Sequence, residues 1–222
     1  MVISHRGKKT GEKENSIAAF EKAFAMGAGG IECDARLLPD GEVIISHDPV
    51  SKFDKNVLTL SQLLDYAKKK NKLFFMELKS SSPVLVDKIA QEISDRNLWT
   101  EVCVIGFSVM VKTAFKMQNK YPKLRVIPFL NIPVLSMIRL PKKSYGIFMG
   151  WIDEWRWSQK VFQTFISEGR LKKLRDLYER NGFKVFAGVI NNEKGLRYFK
   201  NAGITDIVTD EIELATKILN SK

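Results

Sequence analysis

The run GGIECDARLLPDGEVIISHDP, residues 29–49, holds two acids one residue apart, Glu32 and Asp34, then a Pro-Asp-Gly turn and His47. On a β-strand alternate side chains share a face, so Glu32 and Asp34 point one way while Ile31, Cys33 and Ala35 point the other. Two carboxylates held together in a closed site repel each other unless a cation or a proton lies between them. A hard divalent ion with oxygen ligands, Mg²⁺ or Ca²⁺, resolves that conflict most simply. Glu77, in MELK, offers a third carboxylate, with Lys79 two positions on and therefore on the same face. The alternative is that Glu-x-Asp marks the solvent face of an edge strand, and the apolar flanks of this pair argue against it.

The chain contains only two histidines, His5 and His47. Imidazole titrates near neutrality, so the pair are natural candidates for general acid and general base, one taking a proton from a nucleophile and the other returning one to a leaving oxygen. A lone strand histidine is also a common structural residue. Arg6 and Lys79 would supply positive charge for a phosphate, the first as a planar fork and the second as a point charge. They could equally pair with the carboxylates, and the two roles are compatible.

These residues need elements to bring them together. Short β-rich runs at 1–4, 30–35, 72–78, 101–107, 124–130, 145–150, 183–189 and 206–210 alternate with helix-patterned segments at 16–26, 61–70, 84–96, 108–120, 132–140, 158–180, 193–201 and 211–219. Alternation of this kind argues for parallel strands joined by crossover helices. Asn15, Ser61 and Asp210 read as helix caps. A further run at 42–48 follows the second strand through Pro39-Asp40-Gly41, which is too short to hold a helix and reads as a hairpin. The expected fold is α/β: a single (β/α)8 barrel domain over 1–222 with a small β-hairpin after strand 2. Catalytic groups of such a barrel belong at the carboxyl ends of its strands, where His5, Glu32, Asp34 and Glu77 fall.

Composition narrows the class. The chain has 222 residues, 45% of them hydrophobic and 27% charged, the balance of a globular protein with a sizeable core. The formal net charge of +11 favours anionic ligands. The basic residues are spread along the chain, however, and no nucleic-acid-binding motif is present, so no nucleic-acid partner is expected. Two cysteines in apolar strand-like runs, Cys33 and Cys103, and an amino terminus without a signal pattern make a cytoplasmic setting the expectation. The apolar stretch around 126–141 is interrupted by three prolines, Asn131 and Arg139 and falls short of a membrane span.

Taken in order, HRG, ENS, GAGGIECD, DGEVIISHD, MELK and GITDIVTD resemble the signature of the glycerophosphodiester phosphodiesterase family, closely over residues 4–49 and clearly at 77–79. The resemblance implies a (β/α)8 barrel that uses a divalent metal to hydrolyse glycerophosphodiesters to glycerol 3-phosphate and an alcohol. It implies that Glu32, Asp34 and Glu77 bind the metal, that His5 and His47 are acid and base, that Arg6 and Lys79 hold phosphate, and that Glu14 sits near the pocket. Where the family usually has Pro-Glu-Asn-Thr this chain has Lys13-Glu14-Asn15-Ser16, a change that keeps a helix cap. Its segment between His47 and Glu77 is short, which implies a more open mouth, and FAGVINN replaces a tryptophan-containing stretch on strand seven.

Two further classes compete with a soluble diesterase. One is phospholipase D-like action on lipid phosphodiesters, resembling lysophospholipase D or sphingomyelinase D, and the other is a barrel that binds phosphate without catalysis. Trp151, Trp155 and Trp157 bear on the first: they are either core beneath a loop or a patch that touches lipid.

Overall fold

The computed structural model describes residues 1–50, 56–130, 143–151 and 157–221. Nine strands are present among them: β1 (Val2–His5), β2 (Gly30–Leu37), β3 (Val43–Ile45), β4 (Leu73–Leu78), β5 (Val102–Phe107), β6 (Arg125–Leu130), β7 (Gly146–Met149), β8 (Lys184–Ala187) and β9 (Ile207–Thr209). Eight of them, β1, β2 and β4 to β9, pair in parallel, and β1 closes the ring by pairing with both β2 and β9. Helices α1 (Ile17–Ala25), α2 (Leu60–Lys70), α3 (Pro83–Arg96), α4 (Ser108–Met117), α5 (Ser158–Phe165), α6 (Glu168–Arg180), α7 (Glu193–Asn201) and α8 (Ile212–Asn220) connect them. The result is the expected closed (β/α)8 barrel, with β3 outside it, antiparallel to β2.

Period-two patterning decides which side chains go where. Ile31, Cys33 and Ala35 of β2 face the layer between strands and helices, where they join Phe74, Met76 and Leu78 of β4. The barrel interior is a separate, smaller cluster that includes Ile3, Phe75, Ile105, Ile127, Phe148 and Phe186. Phe75, Phe148 and Phe186 pack within 5.1–6.0 Å of one another, and Phe129 and Phe107 extend the aromatic column upward. These rings plug the lower barrel, so that only the upper layer of inward-facing residues borders an open cavity.

The hairpin turn forms as expected. Gly41 adopts φ +89°, and the Asp40 carboxylate accepts from the Glu42 amide. The paired part of β3 is shorter than 42–48, and His47 lies two residues beyond it.

Elsewhere the helices correct the expectation. The segment at 158–180 is two helices, because Ile166 is extended and buried and Ser167 caps α6 by accepting from the Arg170 amide. The Ile166 carbonyl is held by the Tyr198 hydroxyl. Helix α2 is capped by Thr59 in a capping box with Gln62, and Ser61 instead accepts from Arg96. Ser16, not Asn15, caps α1, and α8 starts after Glu211 without a side-chain cap. The helix expected at 132–140 lies outside the described residues, as does Trp155. Trp151 is core, 3% exposed, with ring centroids 5.1 Å from Phe199 and 5.6 Å from Phe162. It therefore cannot belong to a lipid-facing patch, whereas Trp157 is exposed. No described helix is long and apolar enough to cross a membrane.

Candidate active site

Strand register assembles the acids and the first histidine. His5 stands opposite Glu32 across β1 and β2, and Asp34 stands opposite Glu77 across β2 and β4. All four side chains are buried in the upper barrel. One ligand oxygen from each of Glu32, Asp34 and Glu77 falls within 4.8 Å of the others, a spacing that a single cation can bridge.

Charge around the three acids is unevenly shared. Asp34 receives Arg6 Nε at 2.9 Å, Lys79 Nζ at 2.8 Å and the Asn15 side-chain amide at 2.8 Å, while Lys79 also reaches Glu77 at 2.9 Å. Burial pushes the Asp34 pKa up, but Lys79 and Arg6 outweigh it and hold the carboxyl below its usual range. Lys79 is the reciprocal case: burial works against its charge, and Glu77 and Asp34 win, so its pKa is raised. The ion pairing considered for Arg6 and Lys79 is thus present.

Glu32 has no such support. Neither of its buried carboxylate oxygens has a hydrogen-bond partner among the described residues. Burial, followed by repulsion from Asp34 and Glu77, pushes its pKa well up. A buried carboxylate oxygen without a donor is what a divalent cation satisfies, so these residues fit a metal ion.

The raised Glu32 pKa has a consequence for stability. A carboxyl whose folded pKa lies above its unfolded value lowers stability at higher pH, and the loss accumulates as pH rises from the unfolded pKa through the folded one. Glu32→Gln is therefore expected to raise the Tm of metal-free protein at neutral pH by about 2–4 °C, the equivalent of about 1 kcal/mol in a chain of this size. The gain should vanish near pH 3, about one unit or more below the unfolded pKa, where the wild-type carboxyl is protonated in both states, as scanning calorimetry at the two pH values would show.

The histidines occupy different settings. His5 ends β1 and is buried, with Nδ1 2.7 Å from Asp210 Oδ1 and Nε2 3.8 Å from Glu32 Oε2. Burial pushes the Asp210 carboxyl up, but the hydrogen bond from His5 prevails and lowers it. An ionised Asp210 can only accept, so Nδ1 of His5 is the donor and Nε2 faces the cavity. Asn191 fixes Asp210 in turn: its amide donates to Oδ2 at 2.7 Å and its carbonyl accepts from the Asp210 backbone N–H at 2.8 Å. His47 is about one-third exposed, and its Nδ1 lies 2.9 Å from Asp48.

His5, Arg6, Glu32, His47, Glu77 and Lys79 all line one cavity of about 310 Å³. Asp34 lies beneath it, bound to two of those lining residues. Glu14 approaches Arg6 and Lys8 at 3.9 Å each, beside the cavity rather than in its lining.

Backbone geometry supports the placement. Arg6 takes φ +59° and its amide donates to the Glu32 carbonyl at 2.8 Å, a left-handed conformation that costs a non-glycine residue about 1–3 kcal/mol. Gly7 follows at φ +71°, and a Cβ there would fall 2.6 Å from the Ala19 Cβ of α1. Gly7→Ala is accordingly expected to destabilise the fold by about 2 kcal/mol, from strain and overlap together, measurable by urea unfolding.

Asp210 and Asn191 were not among the site residues expected from sequence. The sequence marks Asp210 only as a helix cap, and the signal it offers for a site role is the position just past the last strand. The model of the "Glycerophosphoryl diester phosphodiesterase family" matches residues 5–81, the span that carries both histidines, the three acids, Arg6 and Lys79. Over those residues the chain is similar to the glycerophosphoryl diester phosphodiesterase family.

Similarity to members of this family extends over the whole chain. A glycerophosphodiester phosphodiesterase of Caldanaerobacter subterraneus is 23% identical over 96% of this chain and 95% of its own length. A glycerophosphodiester phosphodiesterase of Parabacteroides distasonis superposes with a TM-score of 0.74 at 24% identity, covering 98% of this chain and 95% of its own. A phosphodiesterase of Oleispira antarctica, solved in complex with the product sn-glycerol-3-phosphate, superposes with a TM-score of 0.75 at 17% identity, covering 100% of this chain and 97% of its own.

Proposed function

We propose that the chain hydrolyses glycerophosphodiesters to glycerol 3-phosphate and an alcohol. The observation that carries this reading is the single cavity lined by both histidines, two of the three clustered acids and the two cations that bind Asp34. The family-model match over residues 5–81 supports it, as does the Oleispira antarctica neighbour with its glycerol 3-phosphate product.

Glu32, Asp34 and Glu77 would hold a divalent ion, Mg²⁺ or Ca²⁺. When bound, that ion supplies positive charge to the phosphoryl oxygens and acidifies the attacking hydroxyl. The remaining work falls to the chain's own groups. One of His5 and His47 takes the proton of the attacking hydroxyl as its oxygen bonds to phosphorus, and the other gives a proton to the ester oxygen as the second P–O bond breaks. Asp210, itself held by Asn191, keeps the His5 proton on Nδ1 and so leaves Nε2 to exchange protons with the substrate. Arg6 and Lys79 stabilise charge that builds on the phosphoryl oxygens, a role compatible with their ion pairs to Asp34 and Glu77.

A phosphate-binding barrel without catalysis is disfavoured, because such a site has no use for a histidine whose tautomer is set by a partly buried carboxylate. Phosphorus NMR of the protein incubated with glycerophosphocholine and divalent metal tests the proposal. Conversion of the diester signal to that of glycerol 3-phosphate is expected; a diester signal that persists at every metal concentration would overturn it.

A further inference from the structure

We propose that Arg36 is a positioning residue for His47, holding that histidine at the cavity through its backbone. The inference rests on the acid–base role given to His47 above and adds the group that sets its place. His5 is built on a barrel strand, and its ring is fixed through Asp210 and Asn191. His47 has neither advantage: it stands two residues past the end of β3, and its ring partner, Asp48, is exposed.

The edges of β2 explain why His47 needs a separate tie. One edge pairs with β4 over residues 30–35, so β1 and β3 share the other, β1 at residues 30–32 and β3 at residues 35–37. The Ser46 amide adds one bond beyond that ladder, to the Asp34 carbonyl at 2.9 Å. Below it β1 occupies the edge, and the chain leaves the sheet at His47. Among the described residues no backbone hydrogen bond joins His47 to β2. The Arg36 side chain makes the connection instead, its Nη2 donating to the His47 carbonyl.

Other uses of this guanidinium are not in evidence. Alternation along β2 puts Arg36 on the face of Glu32 and Asp34, two residues nearer the mouth. Yet it does not line the cavity, and among the described residues it forms no ion pair, in contrast to Arg6 and Lys79. Its Nε is buried and has no hydrogen-bond partner among them. Burying an unpaired donor costs free energy that an apolar side chain of similar length would not incur. What the arginine gains in return is the bond to His47. Holding that carbonyl from a barrel strand fixes the His47 backbone and so the reach of its imidazole, and a displacement of about 1 Å at a reacting group costs about 10²-fold in rate.

Steady-state kinetics with glycerophosphocholine and divalent metal test this in wild type, Arg36→Met, His47→Ala and the double variant. Arg36→Met keeps the apolar stem and removes the fork. It should lower kcat by about 10–100-fold and leave KM within about twofold. In the His47→Ala background the same substitution should change the residual kcat by less than about twofold, because the histidine it positions is gone. Arg36→Lys, which retains a donor on a long stem, should recover several-fold of the lost kcat. Wild-type kcat in Arg36→Met, or an equal fall in both backgrounds, would overturn the inference while leaving His47 its role; a purely structural Arg36 gives the equal fall. Wild-type kcat in His47→Ala would overturn the role of His47 itself. Should Arg36→Met not fold, Arg36→Gln, polar but shorter, takes its place in the same cycle with the same outcomes.

Discussion

Asp34→Ala is expected to destabilise the fold by about 3–5 kcal/mol and to abolish turnover. Asp34 is fully buried and is the shared partner of Arg6, Lys79 and Asn15, at 2.8–2.9 Å. Removing it leaves two poorly solvated cations facing each other across a cavity, and the loss of one member of a buried ion pair costs several kcal/mol because the other charge stays uncompensated. At about 2–4 °C per kcal/mol in a chain of this size, Tm should fall by about 10 °C. Asp34→Asn separates the two effects. It retains an acceptor for Arg6 and Lys79 and should recover part of the lost Tm, but it removes the charge on which cation binding depends. Thermal scans of both variants decide the matter: equal Tm values for wild type and Asp34→Ala would show that Asp34 does not hold the cluster together.

His47→Ala should lower kcat by about 10²–10⁴, the usual contribution of a positioned general acid or base, with little change in Tm. The small stability effect follows from its setting, since His47 is partly exposed and its side-chain partner Asp48 is solvent-facing. His5→Ala should cost as much activity and more stability, because it strands the Asp210 carboxylate in a half-buried position beside Asn191. The contrast is the informative part. If both histidine variants kept wild-type kcat, neither residue could be transferring the proton, whatever their effects on Tm. Asp210→Asn keeps a hydrogen-bond acceptor for His5 yet permits the other tautomer. It should therefore lower kcat with little change in KM.

Much of this architecture was legible in the chain. Alternation of β-rich and helix-patterned runs is a local property, and it located eight barrel strands to within a residue or two. The period of two in β2 separated Glu32 and Asp34 from Cys33, which is buried in the outer core with its thiol pKa raised by burial and by those two acids. Register was not legible, because which residue faces which across a parallel pair depends on the whole closed sheet. That is why the pairing of His5 with Glu32, and of Asp34 with Glu77, emerges only in the fold. Asn15 and Asp210 were read as helix caps by a rule that considers only neighbours along the chain. In the barrel their side chains make longer-range bonds, to Asp34 and His5, while Ser16 takes over the capping of α1. The break between α5 and α6 was hidden for the same reason, since Ile166 leaves the helix to fill the core and to accept from Tyr198. Trp151 likewise carries no sequence mark to separate a core tryptophan from a surface one.

The central claim is that Glu32, Asp34 and Glu77 form a divalent-cation site on which phosphodiester cleavage depends. Release of glycerol 3-phosphate from glycerophosphocholine, followed before and after chelator treatment and again after Mg²⁺ or Ca²⁺ is restored, tests it most directly. Loss of turnover with chelator and its return with one of the two ions is the predicted result; turnover that continues undiminished in metal-free protein would contradict the account.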